Sequence, residues 1–214
     1  MRRFLLADRQ DITRAGLRQV LSDMRQTAVK YTEDKAELLL ALKETPDAAV
    51  ILDYTLFDIN DTDELSVLTD RFPKSVWLLF SDDLSQDFLR HVIAANPQTG
   101  IVLKDCPLHE IREALLSATH GKRYICQRVT ELLLAPQTET EKEKTALTPT
   151  EKEILKDIAM GMTTKEIADR RCSSFHTVNT HRKNIFRKIG VNNVHEAIRY
   201  ALRAGLVDSA EYYI

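Results

Sequence analysis

This sequence of 214 residues is poor in glycine and cysteine. Its six glycines form no GxGxxG, Walker or GxSxG motif, which leaves little material for a phosphate-binding loop or a hydrolase nucleophile. The three cysteines, Cys106, Cys126 and Cys172, are an odd number without a CxxC pair or a His at metal-ligand spacing. We therefore expect reduced structural thiols and a protein that is not an enzyme.

Long apolar runs are absent as well. The run Phe4 to Ala7 is far too short for a signal peptide, and no other stretch approaches the length of a membrane span. These absences predict a cytoplasmic protein without a membrane partner.

Charge is distributed unevenly along the chain. Residues 147–214 hold 11 Lys and Arg against 8 Asp and Glu, and the remaining residues hold 19 against 24. Net charges of +3 and −5 therefore divide the formal total of −2. This asymmetry is consistent with a nucleic-acid-binding module attached to an acidic domain, and the length allows two domains.

Short apolar runs alternate with helix-period segments in the N-terminal part. Candidate strands are Arg3 to Ala7, Thr27 to Tyr31, Ala48 to Leu52, Ser75 to Phe80 and Gly100 to Leu103. Candidate helices lie near Thr13 to Asp23, Asp34 to Glu44, Asp63 to Arg71, Leu84 to Ala95 and Pro107 to Thr119. The alternation predicts an α/β domain with a five-stranded, doubly wound parallel sheet, which binds ligands at the carboxyl ends of its strands.

Polar residues follow four of these strands directly. They are Asp8, Asp53, Ser81 and Lys104. Two carboxylates, a hydroxyl and an ammonium in one cleft would suit formation of an aspartyl phosphate, with Mg²⁺ to neutralise charge during transfer. The alternative is that these four are unrelated surface residues at strand ends.

Four blocks of this part resemble, in order, the receiver domain of two-component response regulators, which has the flavodoxin-like strand order. They are MRRFLLADRQDITRAGL, AAVILDYTLFDIND, VWLLFSDD and GIVLKDCP. The resemblance implies that Asp53 is the phosphoacceptor. It also implies that Asp8 and Asp53 bind Mg²⁺ and that Ser81 and Lys104 meet the phosphoryl oxygens.

Arg9 is the main departure from the receiver pattern. Receivers normally carry two adjacent acids after the first strand, and Arg9 stands at the second of these positions. A cation in place of a carboxylate ligand predicts a weak or absent Mg²⁺ site, and Arg9 could pair with Asp53 in place of the metal. Phe57 replaces the usual proline and Ile101 the usual aromatic switch residue. We therefore expect either no cofactor or weakly bound Mg²⁺.

Residues 147–207 have the pattern of several short helices. One contains Ile154, Leu155 and Ile158, a second begins at Thr163 or Thr164, and a third spans Ser174 to Ile189. The third carries four basic residues and no acid between residues 175 and 190. This pattern is typical of an all-α helix-turn-helix domain, whose second helix enters the major groove, although a small bundle with a solvated basic face has the same periodicity.

The segments LTPTEKEIL, GMTTKEIA, HTVNTHRKNIFRKIGV and EAIRYALRAGL resemble four successive blocks of the LuxR-type DNA-binding domain of the NarL/FixJ family. That family usually has Lys at position 179 and often at position 176, where this chain has Asn179 and His176. Asn favours adenine, whereas Lys favours guanine. The resemblance implies that Asn179, Thr180 and Lys183 face bases. It implies that Thr164, Lys165, Thr177, Arg182 and Arg187 hold phosphates.

The predicted organisation is a receiver-like domain at 1–121, a linker at 122–146 and a DNA-binding domain at 147–214. The linker contains a short helix, Val129 to Ala135, and a charged tether, Gln137 to Thr145. The last helix carries Ala197, Ile198 and Ala201, and we expect this stripe to pair two copies, at least on DNA. A homodimer of this kind would bind half-sites about 10 bp apart.

Two functions fit these observations. In one, a transcription regulator binds double-stranded DNA but its receiver is impaired in Mg²⁺-dependent phosphorylation at Asp53. In the other, it is a conventional response regulator activated by a sensor histidine kinase. An enzyme on the sheet domain has no motif to support it.

Overall fold

The computed structural model describes residues 2–25, 28–82, 84–135 and 146–207. The chain divides into two compact units, residues 1–135 and 136–214. Each has its own apolar core. Among the described residues, no helix combines the length and the apolar character that crossing a bilayer requires.

The first unit is built on a five-stranded parallel sheet. Its strands are β1 Phe4–Ala7, β2 Val29–Tyr31, β3 Ala49–Leu52, β4 Val76–Ser81 and β5 Gly100–Leu103, in the spatial order β2-β1-β3-β4-β5. Every residue of β1, β3 and β5 is buried. Strands of a parallel sheet that is covered on both faces are buried along their whole length. The uninterrupted apolar runs of the sequence therefore correspond to these strands.

Five helices connect or follow the strands. They are α1 Asp11–Asp23, α2 Lys35–Glu44, α3 Thr62–Arg71, α4 Gln86–Ala95 and α5 Leu108–Thr119. The side chains of Asp34, Asp61 and Ser85 accept hydrogen bonds from backbone amides in the first turns of α2, α3 and α4. Such caps satisfy amides that have no partner within the helix, and they define where each helix begins. The predicted five-stranded, doubly wound sheet is therefore confirmed.

A sixth helix, α6 Gln127–Leu134, also belongs to this unit. It packs against α4 and β5, and its residue Val129 is fully buried. The segment before it runs beside β5, where the Ile101 amide donates to the Tyr124 carbonyl at 2.8 Å. Gly100 is required at this crossing, because a Cβ there would lie 2.8 Å from the Tyr124 oxygen. The compact unit thus continues to Ala135, past the boundary expected at residue 121.

The expected linker helix begins at Gln127 rather than Val129 and ends at Leu134. The expected tether, Gln137 to Thr145, lies outside the described residues.

The second unit has four described helices. They are α7 Pro149–Ala159, α8 Thr164–Arg170, α9 Phe175–Ile189 and α10 Val194–Arg203. Thr148 with Glu151 and Thr163 with Glu166 form capping boxes at the starts of α7 and α8. Helix α9 ends at Gly190, whose left-handed conformation (φ 71°) suits a residue without a Cβ. The predicted helix-turn-helix unit is confirmed, and its core includes Ile154, Leu155, Ile158, Val178 and Ile185.

Candidate phosphorylation pocket and nucleic-acid interface

The sheet brings the four predicted pocket residues to the carboxyl ends of its strands. Asp8 follows β1, Asp53 follows β3, Ser81 ends β4 and Lys104 follows β5. Because β1, β3, β4 and β5 are neighbours in the sheet, the four residues lie together at one edge of it, where Asp8, Asp53 and Ser81 are buried.

Lys104 is the centre of this pocket. Its Nζ lies 2.8 Å from Asp53 Oδ2 and 2.8 Å from Asp8 Oδ2, and it donates to Gln10 Oε1 at 3.1 Å. Asp8 Oδ2 receives no well-directed hydrogen bond, so its contact with Lys104 is a charge contact. Gln10 was missed in the sequence analysis because an amide after a strand carries no motif.

The two Asp residues are also held by backbone amides. Asp53 Oδ1 accepts from the Thr55 amide at 3.0 Å, and Asp8 Oδ1 accepts from the Gln10 amide at 2.7 Å. Ser81 Oγ accepts from the Tyr54 amide at 2.8 Å. Both oxygens of Asp53 are therefore engaged, and its side chain has no exposed area.

Two carboxylates and one ammonium leave this pocket with more negative than positive charge. Burial raises the pKa of the Asp53 carboxyl to about 6; the Lys104 ammonium opposes this rise and the Asp8 carboxylate adds to it. Burial alone would lower the pKa of Lys104, but Asp53 and Asp8 outweigh burial and raise it above its usual value. The pocket therefore keeps Lys104 charged, and Asp53 takes up a proton at a higher pH than an exposed carboxyl does.

The expectation that Arg9 pairs with Asp53 is wrong. The Arg9 side chain is exposed, and its Nε donates to the backbone carbonyl of Glu33 at 3.4 Å. Asp8 and Arg9 are adjacent in the chain just after β1, but of the two only Asp8 is buried. Arg9 therefore lies outside the buried pocket. Lys104, not Arg9, neutralises Asp53.

Asp8 and Asp53 are the two carboxylates that this pocket offers to a divalent cation. Among the described residues, no group of three or more His, Cys, Asp or Glu side chains could hold a metal ion. The two candidate ligands, Asp8 and Asp53, share the ammonium of Lys104 between them. Mg²⁺ commonly takes one or two protein carboxylates, and in this arrangement both carboxylates are paired with Lys104.

Phe57 and Ile101, the other departures from the receiver pattern, are fully buried. The Phe57 amide donates to the carbonyl of Asp53 at 2.9 Å, so this residue closes the turn after β3. Ile101 lies inside β5 and pairs in register with Leu79. Both side chains belong to the core, and neither is presented to solvent.

The exposed side of α9 is the candidate nucleic-acid interface. The helix contains no acidic residue, and His176, Thr177, Thr180, Lys183 and Arg187 are exposed. Asn179 is half-buried. Val178, Ile185 and Phe186 occupy the opposite face and pack in the core, so the core holds the polar face outward.

Two predicted phosphate contacts need correction. Arg182 is 5% exposed, and its guanidinium lies 5.6 Å from the centroid of the Phe186 ring. Its aliphatic part and its charge are therefore used in packing within the unit. Thr164 is also buried, at the start of α8, which leaves Lys165 as the exposed candidate on that helix.

The predicted dimerisation stripe is wrong for a similar reason. Ala197 and Ala201 are fully buried in the core of this unit, where α10 packs against α7, and Ile198 is buried outside that core cluster. Small residues on α10 let the two helices approach within this unit. Arg199, Tyr200 and Arg203 are the residues of α10 that face solvent.

Ion pairs under the helix-turn-helix were also missed in the sequence analysis. Glu151 accepts from Lys188 Nζ at 2.7 Å, and Asp157 accepts from Arg170 at 3.1 Å and from Arg171 at 2.6 Å. Both acids are buried. Lys188, one of the four basic residues counted between residues 175 and 190, is thus paired with an internal acid, which charge counting along the sequence cannot reveal.

Comparisons with known proteins agree with this architecture. Residues 145–201 match the luxR family of bacterial regulatory proteins. The chain is 28% identical over 206 residues to the transcriptional regulatory protein MctR of Rhizobium johnstonii, covering 96% of this chain and 95% of MctR. It is 26% identical over 216 residues to the oxygen regulatory protein NreC of Staphylococcus aureus, covering 96% and 99%.

Solved structures of the response regulator RcsB have the same fold. One, with two RcsB dimers bound to two parallel DNAs, gives a TM-score of 0.54 at 26% identity and covers 97% of this chain and 99% of that one. Another is RcsB of Salmonella enterica serovar Typhimurium bound to promoter rprA in the presence of phosphomimetic BeF3⁻. It gives a TM-score of 0.52 at 25% identity and covers 94% and 98%. The chain thus has a helical unit that matches the luxR family of bacterial regulatory proteins, and over nearly its whole length it is similar to transcriptional regulatory proteins and to the response regulator RcsB.

Proposed function

We propose that this protein regulates transcription by binding double-stranded DNA through α9, and that its receiver-like unit is impaired in Mg²⁺-dependent phosphorylation at Asp53. The observation that carries the second part is Arg9, which stands where receivers carry a second acid and whose Nε donates to the Glu33 carbonyl. The acid-free α9 and the family match at residues 145–201 support the first part.

The DNA-binding half of the proposal assigns roles by position on α8 and α9. Asn179, Thr180 and Lys183 face base edges, and His176 lies beside them in the first turns of α9. Lys165, Thr177 and Arg187 bind phosphates. The exposure of Lys165, Thr177, Lys183 and Arg187 supports these roles, because a side chain must be accessible to reach the backbone or a base edge.

Phosphorylation requires the Asp53 carboxylate to attack a phosphoryl group while positive charge neutralises the transferred oxygens. In this pocket both Asp53 oxygens already accept hydrogen bonds, one from Lys104 and one from the Thr55 amide. Arg9 stands where receivers carry a further acid, and it points toward Glu33. Arg9 is the feature that separates this pocket from the receiver pattern, because it removes a carboxylate ligand and adds a positive charge.

The test is intact mass spectrometry of the full chain after incubation with a small phosphodonor and Mg²⁺. Wild type should gain no phosphoryl adduct and should shift DNA without treatment. Arg9→Asp should bind Mg²⁺ more tightly and gain an adduct, and the double variant Arg9→Asp with Asp53→Asn should lose it. Asp53→Asn alone should bind DNA as wild type does.

A second function, that of a conventional phosphorylated response regulator, is favoured by the presence of Asp8, Asp53, Ser81 and Lys104 together at one edge of the sheet. In that case a sensor histidine kinase would supply the phosphoryl group and phosphorylation would change DNA binding. A labile adduct on wild type that disappears in Asp53→Asn, together with altered DNA affinity, would favour this conventional regulator over our proposal.

We further propose that the protein binds DNA as a homodimer, as in the described complex of RcsB dimers with DNA. The surface for pairing is not the Ala197 stripe, since that stripe is buried. Tyr200 and Arg203 lie on the exposed side of α10, which we propose as the surface that meets a second copy. Sedimentation of the wild-type protein and of Tyr200→Ala, each with a target duplex, tests the proposed homodimer. A complex of one wild-type chain with one duplex would contradict the homodimer.

A further inference from the structure

Phe175 is an exposed aromatic residue at the start of α9. It is the first residue of the helix, its side chain is 46% exposed, and it lies outside the apolar cluster that forms the core of the second unit. Ser174 caps the helix by accepting from the Thr177 amide at 3.0 Å, so the backbone that carries Phe175 is well defined. Isolated exposed apolar residues are common, and what singles out Phe175 is its position.

Its neighbours on the helix surface are the residues proposed to meet DNA. Residues four apart are adjacent on a helix, so Phe175, Asn179, Lys183 and Arg187 form one continuous row. No acidic residue occurs anywhere in α9. The row therefore has an apolar end, at Phe175, and a basic end, at Lys183 and Arg187. The apolar end lies in the first turn of the helix, which is the part of a recognition helix that meets base edges. Charge complementarity selects a nucleic acid, rather than a second apolar surface, as the occupant of this row.

An aromatic ring at a base edge can recognise one feature of the major groove. Thymine carries a C5 methyl group there, which is the apolar group that a Phe side chain contacts. Asn179, the next residue of the row, has the amide chemistry that recognises adenine N6 and N7. Phe175 and Asn179 thus both favour A·T base pairs.

We propose that Phe175 is a specificity-determining residue that recognises a thymine methyl group next to an adenine recognised by Asn179. The inference rests on the proposed DNA binding through α9 and adds a base preference to it. Four residues of helix span about 6 Å, or about two steps of the DNA helix. The thymine and the adenine therefore lie within about two base pairs of each other.

The experiment begins with duplexes that the full-length wild-type protein enriches from a randomised library. Each thymine of an enriched duplex is then replaced in turn by deoxyuridine, which removes the methyl group alone. Affinities are measured for wild type, Phe175→Ala and Phe175→Leu. Met160→Ala is the matched control, because Met160 is a similarly exposed apolar residue of the same unit, next to the end of α7.

Wild type should lose about fourfold in affinity at one thymine, the loss expected for about one buried methyl group. Phe175→Ala should bind the thymine and uracil duplexes equally, whereas Phe175→Leu and Met160→Ala should keep the difference. The sensitive thymine should lie within about two base pairs of the adenine whose replacement no longer matters in Asn179→Ala. Circular dichroism melting checks that the variants are folded.

Two results would overturn the inference while leaving DNA binding intact. One is the absence of any thymine-specific loss in wild type. The other is a thymine-specific loss that persists in Phe175→Ala; if this variant also binds both duplexes more weakly than wild type does, the ring contacts the DNA backbone or a second copy of the chain. Failure of the wild-type protein to enrich any sequence would instead contradict the proposed function itself.

Discussion

Asp53 is a carboxyl group with no exposed side-chain area, and its environment opposes ionisation. The Lys104 ammonium favours the charged form, but burial and the Asp8 carboxylate outweigh it, and the pKa of Asp53 is raised to about 6. In an unfolded chain the same carboxyl has a pKa near 3.8. The folded protein therefore holds a proton on Asp53 at pH values where the unfolded chain has lost it.

This difference predicts a pH-dependent effect of Asp53→Asn on stability. A raised pKa in the folded state means that ionised Asp53 destabilises the first unit, fully above about pH 6 and not at all below about pH 4. The neutral Asn avoids this penalty. The free energy of unfolding of Asp53→Asn should therefore match wild type near pH 4 and exceed it near pH 7, by on the order of 3 kcal/mol.

Urea unfolding followed by Trp77 fluorescence measures this difference, because Trp77 is the single tryptophan of the chain and is buried in β4. Asp70→Asn, on an exposed position of α3, is the matched control for replacing a carboxyl by an amide. A difference between Asp53→Asn and wild type that stays constant from pH 4 to pH 7 would show that Asp53 ionises freely in the folded protein.

At the scale of one helix, α9 carries two arginines with different environments. Arg182 is buried against the Phe186 ring, whereas Arg187 is exposed and donates to Asn184 Oδ1 at 3.0 Å within the same helix. The five-residue separation puts them on different sides of the helix. One side chain therefore contributes to packing, and the other is available to DNA phosphates.

Alanine substitution should separate these two contributions. Arg187→Ala should weaken binding to specific and random duplexes alike and reduce the slope of log affinity against log salt concentration by about one, with an unchanged melting temperature. Arg182→Ala should keep that slope and lower the free energy of unfolding by about 1 to 2 kcal/mol, through lost packing and cation–π contact. Fluorescence anisotropy at several salt concentrations measures the slope, and circular dichroism melting measures stability. A reduced slope with unchanged stability in Arg182→Ala would show that Arg182 contacts DNA.

At the scale of the whole molecule, the chain has two cores, and α6 is part of the first. Residues 124–126 cover the outer edge of β5, with the Ile101 amide donating to Tyr124 and the Cys126 amide donating to Ile101. Cys126 and Val129 are fully buried. If the chain ended before residue 124, β5 would be an edge strand with unpaired backbone groups, and the apolar surface that Cys126 and Val129 cover would be exposed.

Two truncated chains test where the first unit ends. A chain of residues 1–135 should unfold in urea at the same midpoint as the Trp77 transition of the full chain. A chain of residues 1–121 should be less stable by at least about 3 kcal/mol, because it loses the burial of Val129 and its neighbours and two backbone hydrogen bonds. Equal midpoints for the two truncated chains would show that α6 adds nothing to the first unit and acts only as a connector.

Much of the fold follows from local patterns along the chain. Apolar runs of four to six residues, helix periodicity and capping residues such as Asp34 and Ser174 depend only on nearby sequence, so the order of strands and helices was predicted correctly and the bounds differ by a few residues. The cleft residues Asp8, Asp53, Ser81 and Lys104 were found for a related reason. A parallel sheet places the ends of its strands together, whatever the details of packing.

By itself, then, the sequence determined the two kinds of unit, the strand order implied by resemblance and the polar residues at the sheet edge. Only the tertiary structure decided how individual charges and small residues are used. Lys104 rather than Arg9 meets Asp53, Arg182 packs on Phe186, and Ala201 lies in the core. These outcomes depend on which distant elements pack together. The free energy of a charged or small side chain in the folded protein is set by its burial and its partners. Neither can be read from the spacing of residues along the chain.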